Sequence, residues 1–140
     1  MQDCIFCSIA AHKLQENYII YENGRAMVIA DRYPVNFGHL LVITRKHYEN
    51  ILEIDDDDLK SVIVLAKRYA LLLKERLKPD GIKVLTNTGK AAGQAIMHIH
   101  FHIIPFYDER EDKEDLTYHY RMHKALTDDD LNKLKELLLS

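Results

Sequence analysis

Residues His98-Ile99-His100-Phe101-His102 alternate imidazole with apolar side chains and run on into Ile103-Ile104-Pro105. A strand repeats every two residues, so the spacing predicts three histidines on one face and Ile99, Phe101 and Ile103 on the other. Such a strand belongs in a sheet with one face packed as core and the other carrying chemistry. Three imidazoles on one face must be hydrated, hydrogen-bonded, metal-bound or set against an anion. The plain alternative is a half-exposed strand.

At 140 residues, 47% apolar and 29% charged, the chain has the proportions of one soluble globular domain. A formal charge of −3 and a pI near 6.2 provide no general attraction for nucleic acid, so any anion must be held by a local site. The start, Met1-Gln2-Asp3-Cys4, lacks a basic and apolar leader, and no run approaches membrane-spanning length. These features predict a cytoplasmic protein that engages neither membrane nor nucleic acid. Both cysteines fall in Cys4-x-x-Cys7, a spacing that in a reducing compartment suggests metal or redox work before a structural disulfide.

Ile5, Phe6 and Ile9 predict a short first helix over residues 4–13. Tyr18 to Tyr21 and Arg25 to Ala30, joined by Asn23-Gly24 as a two-residue turn, predict a hairpin. Further strands are expected over His39 to Thr44, Ile82 to Asn87 and Met97 to Phe106. One long helix opens at Asp55 to Asp58, whose carboxylates suit the positive end of the helix dipole, and stops before Pro79. Its expected buried stripe is Leu59, Val62, Ile63, Ala66, Ala70, Leu73 and Leu77.

Val64, Leu65, Leu71 and Leu72 widen that stripe beyond what one sheet face needs, which suggests a homodimer or cover by a C-terminal segment. Tyr107 to Asp115 reads as a charged linker. Thr127-Asp128-Asp129-Asp130 then caps a final helix with Leu131, Leu134, Leu137 and Leu138 on one side. The expected class is α+β: a five-stranded antiparallel sheet, one long helix and short terminal helices, in a single domain over 1–140 with its core at 3–106.

Upstream of the histidines, Asn87-Thr88-Gly89-Lys90-Ala91-Ala92-Gly93-Gln94 has small residues that let backbone N–H groups approach an anion, and an amide at each end. Taken together, Asn87-x-Gly89-x-x-x-Gly93-Gln94-x-x-x-His98-x-His100-x-His102-x-x-Pro105 resembles the signature of the histidine-triad (HIT) nucleotide-binding family. Asp31 to His47, with Pro34, Gly38-His39 and Arg45-Lys46-His47, resembles the same family, and Asn87 its Hint-like branch.

The resemblance implies two copies pairing into a ten-stranded sheet, with a purine nucleotide beside the triad. It also implies hydrolysis or transfer at the α-phosphorus of a nucleoside phosphoramidate, dinucleoside polyphosphate or related adenylate. His100 would attack through Nε2 with Nδ1–H held by an acceptor, giving a nucleotidyl-histidine that water resolves. His102, His39, Asn87, Gln94 and the Gly93 backbone would hold phosphate oxygens. Asp31 would accept from the ribose hydroxyls, and Ile5, Phe6, Ile9 and Ile29 would flank the base. Two residues depart from the pattern: Ala95 stands where several relatives carry a hydroxyl, and Arg32 where an apolar residue is common.

Cys4 and Cys7 need further ligands for zinc, which prefers four N or S donors. The resemblance to bacterial-type HIT proteins supplies His47 and His98, implying a structural zinc that takes His98 out of catalysis. A thioredoxin-like pair is disfavoured by the lack of a preceding strand, while two buried free thiols remain open. His12, His119 and His123 are expected at the surface, and Tyr118-His119-Tyr120-Arg121 could stack on a base. The rivals to an enzyme are a nucleotide-binding sensor or adaptor without catalysis, and a metal-binding protein that uses the three histidines together.

Overall fold

The computed structural model describes residues 3–108 and 124–139. Its elements run α1 (Ile5–Ala10), β1 (Ile19–Glu22), β2 (Ala26–Ala30), β3 (Leu40–Thr44), α2 (Asp56–Leu77), β4 (Gly81–Leu85), β5 (His100–Phe106) and α3 (Asp128–Leu139). The strands form one antiparallel sheet in the order β1-β2-β3-β5-β4, which is the expected class and strand count. Among the described residues no helix is long and apolar enough to cross a membrane.

Period-two alternation sorts the sheet's side chains. Val28, Val42, Phe101 and Ile103 face α2, where Val62, Leu65, Ala66, Tyr69 and Leu73 close the larger core. Met27, Ile29, Leu41 and Ile43 face the other way, against Phe6, Ile9 and Ala10 of α1. His100 pairs with Ile43 and His102 with Leu41, so both imidazoles lie on the α1 side.

Asp55 caps α2 by accepting from the Asp58 N–H at 2.9 Å. Asp58, itself buried, accepts from Tyr48 Oη at 2.6 Å and Arg25 Nη1 at 2.8 Å, tying the helix start to the β1–β2 turn. Lys78, left-handed at φ 53°, ends the helix just before Pro79. Thr127 caps α3 as expected, taking the Asp130 N–H at 3.1 Å. Leu131, Leu134 and Leu138 join the α2 core, whereas Leu137 is only half-buried.

Several expected boundaries move, each for a local reason. The first helix spans only six residues, because His12 and Gln15 adopt left-handed backbone at φ 60° and 52°. The hairpin turn is shifted by one from Asn23-Gly24: the Asn23 N–H donates to Ala26 O at 3.0 Å, leaving Gly24 and Arg25 between them, and Asn23 Oδ1 accepts from the N–H groups of Arg25 (2.8 Å) and Ala26 (2.9 Å). The final strand begins at His100, not Met97, because the Ile99 N–H leaves the ladder for Tyr48 O at 2.8 Å. Within α2, Ile63 is 43% exposed and Tyr69 fills the stripe instead. Of the widening set, Leu65 and Leu72 turn inward while Val64 and Leu71 are exposed, and α3 covers part of the helix. The cluster Tyr118 to Arg121, together with His119, His123 and most of the charged linker, lies outside the described residues.

Gly38 shows how tightly the turn before β3 is packed. At φ +99°, an added Cβ would lie 2.6 Å from Leu77 Cδ2 and 3.1 Å from Pro105 Cγ. Gly38→Ala is therefore expected to cost about 2–3 kcal/mol through strain and overpacking. Urea denaturation measures it as a shift of the midpoint at constant slope.

Candidate functional site

Three distant segments converge at the N-terminus of α1. Cys4 caps the helix and Cys7 sits one turn on, with the Cys7 N–H donating to Cys4 Sγ at 3.4 Å. His98 Nδ1 lies 3.3 Å from Cys4 Sγ and 3.5 Å from Cys7 Sγ, and His47 Nδ1 lies 3.3 Å from Cys7 Sγ. A tetrahedral zinc bound at the usual distances separates its sulfur and nitrogen ligands by about 3.5 Å, so the set fits that ion. The orientation of His98 fits as well: its Nε2–H donates to Thr44 O at 2.8 Å, which turns the Nδ1 lone pair toward the thiols.

Burial, then Cys4, pushes the Cys7 thiol up to about 11, a shift that a cation between the sulfurs would reverse. An open depression of about 720 Å³ reaches Cys4 and His47 past Asp3, Glu49 and Glu53, offering a cation a way in.

His98 also holds its neighbour. His100 Nδ1 donates to the His98 carbonyl at 2.7 Å, so the ring's lone pair sits on Nε2. Phe6 packs edgewise on both rings, at 5.7 Å from His98 and 5.1 Å from His100. Burial lowers the His100 pKa, against the opposing effect of the His98 carbonyl, so the imidazole is neutral at neutral pH.

The third histidine belongs to another group. His102 Nδ1 is 3.0 Å from His39 Nε2, which is in turn 3.3 Å from Asp31 Oδ2. His39 is buried at 1% exposure, packed against His102. The Asp31 carboxyl, raised to about 6 by burial, also accepts the Tyr33 N–H at 2.8 Å. Among the described residues no group of ligating atoms joins all three triad histidines, so a shared three-histidine metal site is not what this strand builds.

The glycine loop closes on itself. The Gly93 N–H donates to Lys90 O at 3.0 Å, and both Ala92 and Gln94 donate to Gly89 O at 3.1 Å. The Gln94 side chain is buried, accepting the Gly89 N–H at 2.9 Å and donating to Glu49 O (2.6 Å) and Ile96 O (3.0 Å). Gly93 and Gln94, expected to hold phosphate oxygens, have these donors engaged by Lys90, Glu49 and Ile96 carbonyls in this structure. Asn87 follows β4 half-buried, beside Thr86, whose hydroxyl donates to His100 O at 2.8 Å. Of the expected base-flanking residues, Ile9 and Ile29 lie in the core under α1, Phe6 touches the histidines, and Ile5 is exposed.

Comparison with known proteins agrees with this geometry. The sequence profile of the HIT domain matches residues 13–109. The chain belongs to the HIT family. A crystal structure of a hypothetical histidine triad nucleotide-binding protein from Sulfolobus tokodaii is 38% identical and superposes with a TM-score of 0.84, covering 96% of this chain and 89% of that one. A zinc-bound histidine triad family protein from Mycobacterium smegmatis is 27% identical, with a TM-score of 0.79 over 99% of this chain and 94% of that one. Among sequence relatives, the adenosine 5'-monophosphoramidase HNT1 of Saccharomyces cerevisiae is 35% identical over 107 residues, 76% of this chain and 65% of that protein.

The buried imidazoles give this HIT domain an acid-side weakness. Desolvation lowers His98 to about 4 and His102 to about 3. Their folded values lie below the unfolded one, near 6.5, so the stability they contribute is present above about pH 6.5 and is lost as pH falls toward 4. Asp31 works the other way, gaining a proton on folding between about pH 4 and its raised value of about 6, but it is one group against three, since burial lowers His100 as well. Stability is therefore expected to decline from about pH 6.5 downward with net proton uptake on unfolding, read from denaturant midpoints across pH.

Proposed function

We propose that this HIT domain binds a purine nucleotide conjugate and cleaves it at the α-phosphorus through His100. The observation that carries the reading is the 2.7 Å bond from His100 Nδ1 to the His98 carbonyl, which leaves a neutral Nε2 as the nucleophile. Nε2 attacks phosphorus as the bond to the leaving group breaks, giving a nucleotidyl-histidine. Water then displaces the imidazole, releasing the nucleoside monophosphate and regenerating His100. His102 and Asn87 offer donors for the phosphate oxygens, Asp31 an acceptor for the ribose and Phe6 an apolar surface for the base. Similarity to the yeast phosphoramidase supports phosphoramidates as substrates, with dinucleoside polyphosphates and adenylates as the related classes.

Cys4, Cys7, His47 and His98 would hold a structural zinc of the Hint-like bacterial type, a reading supported by the ligand distances and the zinc-bound relative. Bound there, zinc supplies a crosslink between α1 and the start of β5 and takes no part in the phosphoryl chemistry. The exposed Val64 and Leu71 on α2, with the open edge of β4, suit a homodimer joined into a ten-stranded sheet. Reduced thiols suit a cytoplasmic setting.

The test is AMP release from adenosine 5'-phosphoramidate and from a dinucleoside polyphosphate, followed by chromatography. Ala95 favours a second reading, a nucleotide sensor without turnover, because it brings no hydroxyl near the leaving group. AMP binding by calorimetry with no turnover on either substrate would select it.

A further inference from the structure

Asp31, His39 and His102 bring a carboxylate oxygen and two ring nitrogens within 4.8 Å of one another, a donor set that looks like a second metal site. The hydrogen bonds argue against a metal there. The Val35 N–H donates to His39 Nδ1 at 3.0 Å. A backbone N–H can only donate, so Nδ1 carries the lone pair and the proton of neutral His39 resides on Nε2. A protonated nitrogen does not ligate; His39 would have to become an imidazolate or give up Val35.

That Nε2–H lies between two acceptors, His102 Nδ1 at 3.0 Å and Asp31 Oδ2 at 3.3 Å. The shorter contact makes His102 Nδ1 an acceptor, and the proton of neutral His102 must then be on Nε2. Alternation along the strand places the His102 ring on the same face as His100, its neighbour at 5.0 Å between ring centroids. Each bond in the series Val35, His39, His102 has its direction imposed by the one before, starting from an amide that cannot reverse.

We propose that His39 is a positioning residue that locks His102 in its Nε2–H tautomer, so that His102 presents a fixed hydrogen-bond donor to a phosphate oxygen. The lock rests on the functional reading above only for the identity of the ligand. His102 does not serve as a proton source: loss of its Nε2 proton would leave an anionic ring, and His39 cannot replace that proton without becoming anionic itself. His39 thus acts through His102 and needs no contact with substrate, in keeping with its burial.

The experiment is two-bond ¹H–¹⁵N correlation NMR on full-length, zinc-loaded protein labelled at histidine nitrogens, with AMP as the probe. Wild type is expected to show pyrrole-type Nε2 and pyridine-type Nδ1 for both His39 and His102, unchanged from pH 6 to 8, and AMP should shift the His102 Nε2–H. In His39→Leu, His102 should populate both tautomers and the AMP dissociation constant should rise about tenfold. His39→Gln retains a side-chain N–H of similar reach and should recover most of both. A wild-type Nδ1–H tautomer at His102, an unchanged tautomer in His39→Leu, or equal AMP affinity for the Leu and Gln variants would overturn the lock. The wild-type tautomer is read without nucleotide and without any substitution. If it is as expected but AMP does not bind, the functional reading fails and the lock stands.

Discussion

His100→Ala is expected to lower kcat/KM for AMP release by about a thousandfold or more, because the first bond made to phosphorus is to this ring. Its Nε2 is the one ring atom of the pair left as an acceptor once Nδ1–H is given to the His98 carbonyl. The substitution leaves the Cys4, Cys7, His47 and His98 cluster intact, so zinc content and the circular dichroism spectrum should match wild type. Rapid quench with α-phosphate-labelled substrate should show label on wild-type protein and none on the variant. Activity retained within tenfold by a folded His100→Ala protein would sink the covalent mechanism. The pH profile gives a second reading of the same atom. Attack needs neutral imidazole, and burial holds the His100 pKa below its ordinary value. Activity should therefore persist below the usual imidazole range and fall only as pH drops through that lowered value.

The parts legible in the sequence were those set by period and residue type. Alternation placed His100 and His102 on one face and Phe101 and Ile103 on the other, and Thr127 and Asp55 marked helix starts through the capping preference of short polar side chains. What depended on partners remote in sequence was not legible. Residue 98 reads as part of the strand, yet the next residue's N–H is diverted to Tyr48 and its own ring to cysteines more than ninety positions away. The Cys–His cluster was accessible only through family resemblance, since a lone Cys-x-x-Cys names no third or fourth ligand.

Hydrogen-bond direction was equally hidden. Residue type and family resemblance mark Gln94 and Gly93 for phosphate, whereas the Gln94 amide donates to Glu49 O and Ile96 O and the Gly93 N–H to Lys90 O. The tautomer of His39 is set by the Val35 N–H, a backbone group with no signature in the sequence. Ile63 and Tyr69 exchange places in the α2 stripe for a packing reason. Phase along a helix of 22 residues is decided by the sheet and α3 together, and no local count contains both.

Cys4→Ser and Cys7→Ser should each abolish binding of about one zinc per chain, measured by elemental analysis of protein purified without chelator, while His102→Ala should leave the zinc in place. A metal present at about a thousand times its dissociation constant stabilises by about 4 kcal/mol, so the melting temperature should fall by about 10–15 °C in a domain of this size. Chelation of wild type should reproduce that loss, and added zinc should reverse it. The loss should also reach the nucleophile, because one residue serves both sites: the His98 ring faces the cysteines while its carbonyl orients His100. Without the metal, the His98 ring exchanges a coordination bond for weak thiol contacts beside its bonds to Thr44, and the backbone carrying that carbonyl gains freedom. Turnover of the chelated protein, assayed below its lowered melting temperature, should therefore drop further than its folded fraction, with kcat falling more than KM changes. Zinc retained by both serine variants would place the metal elsewhere. Turnover that follows the folded fraction alone would show that His98 holds His100 equally well with its ring unanchored.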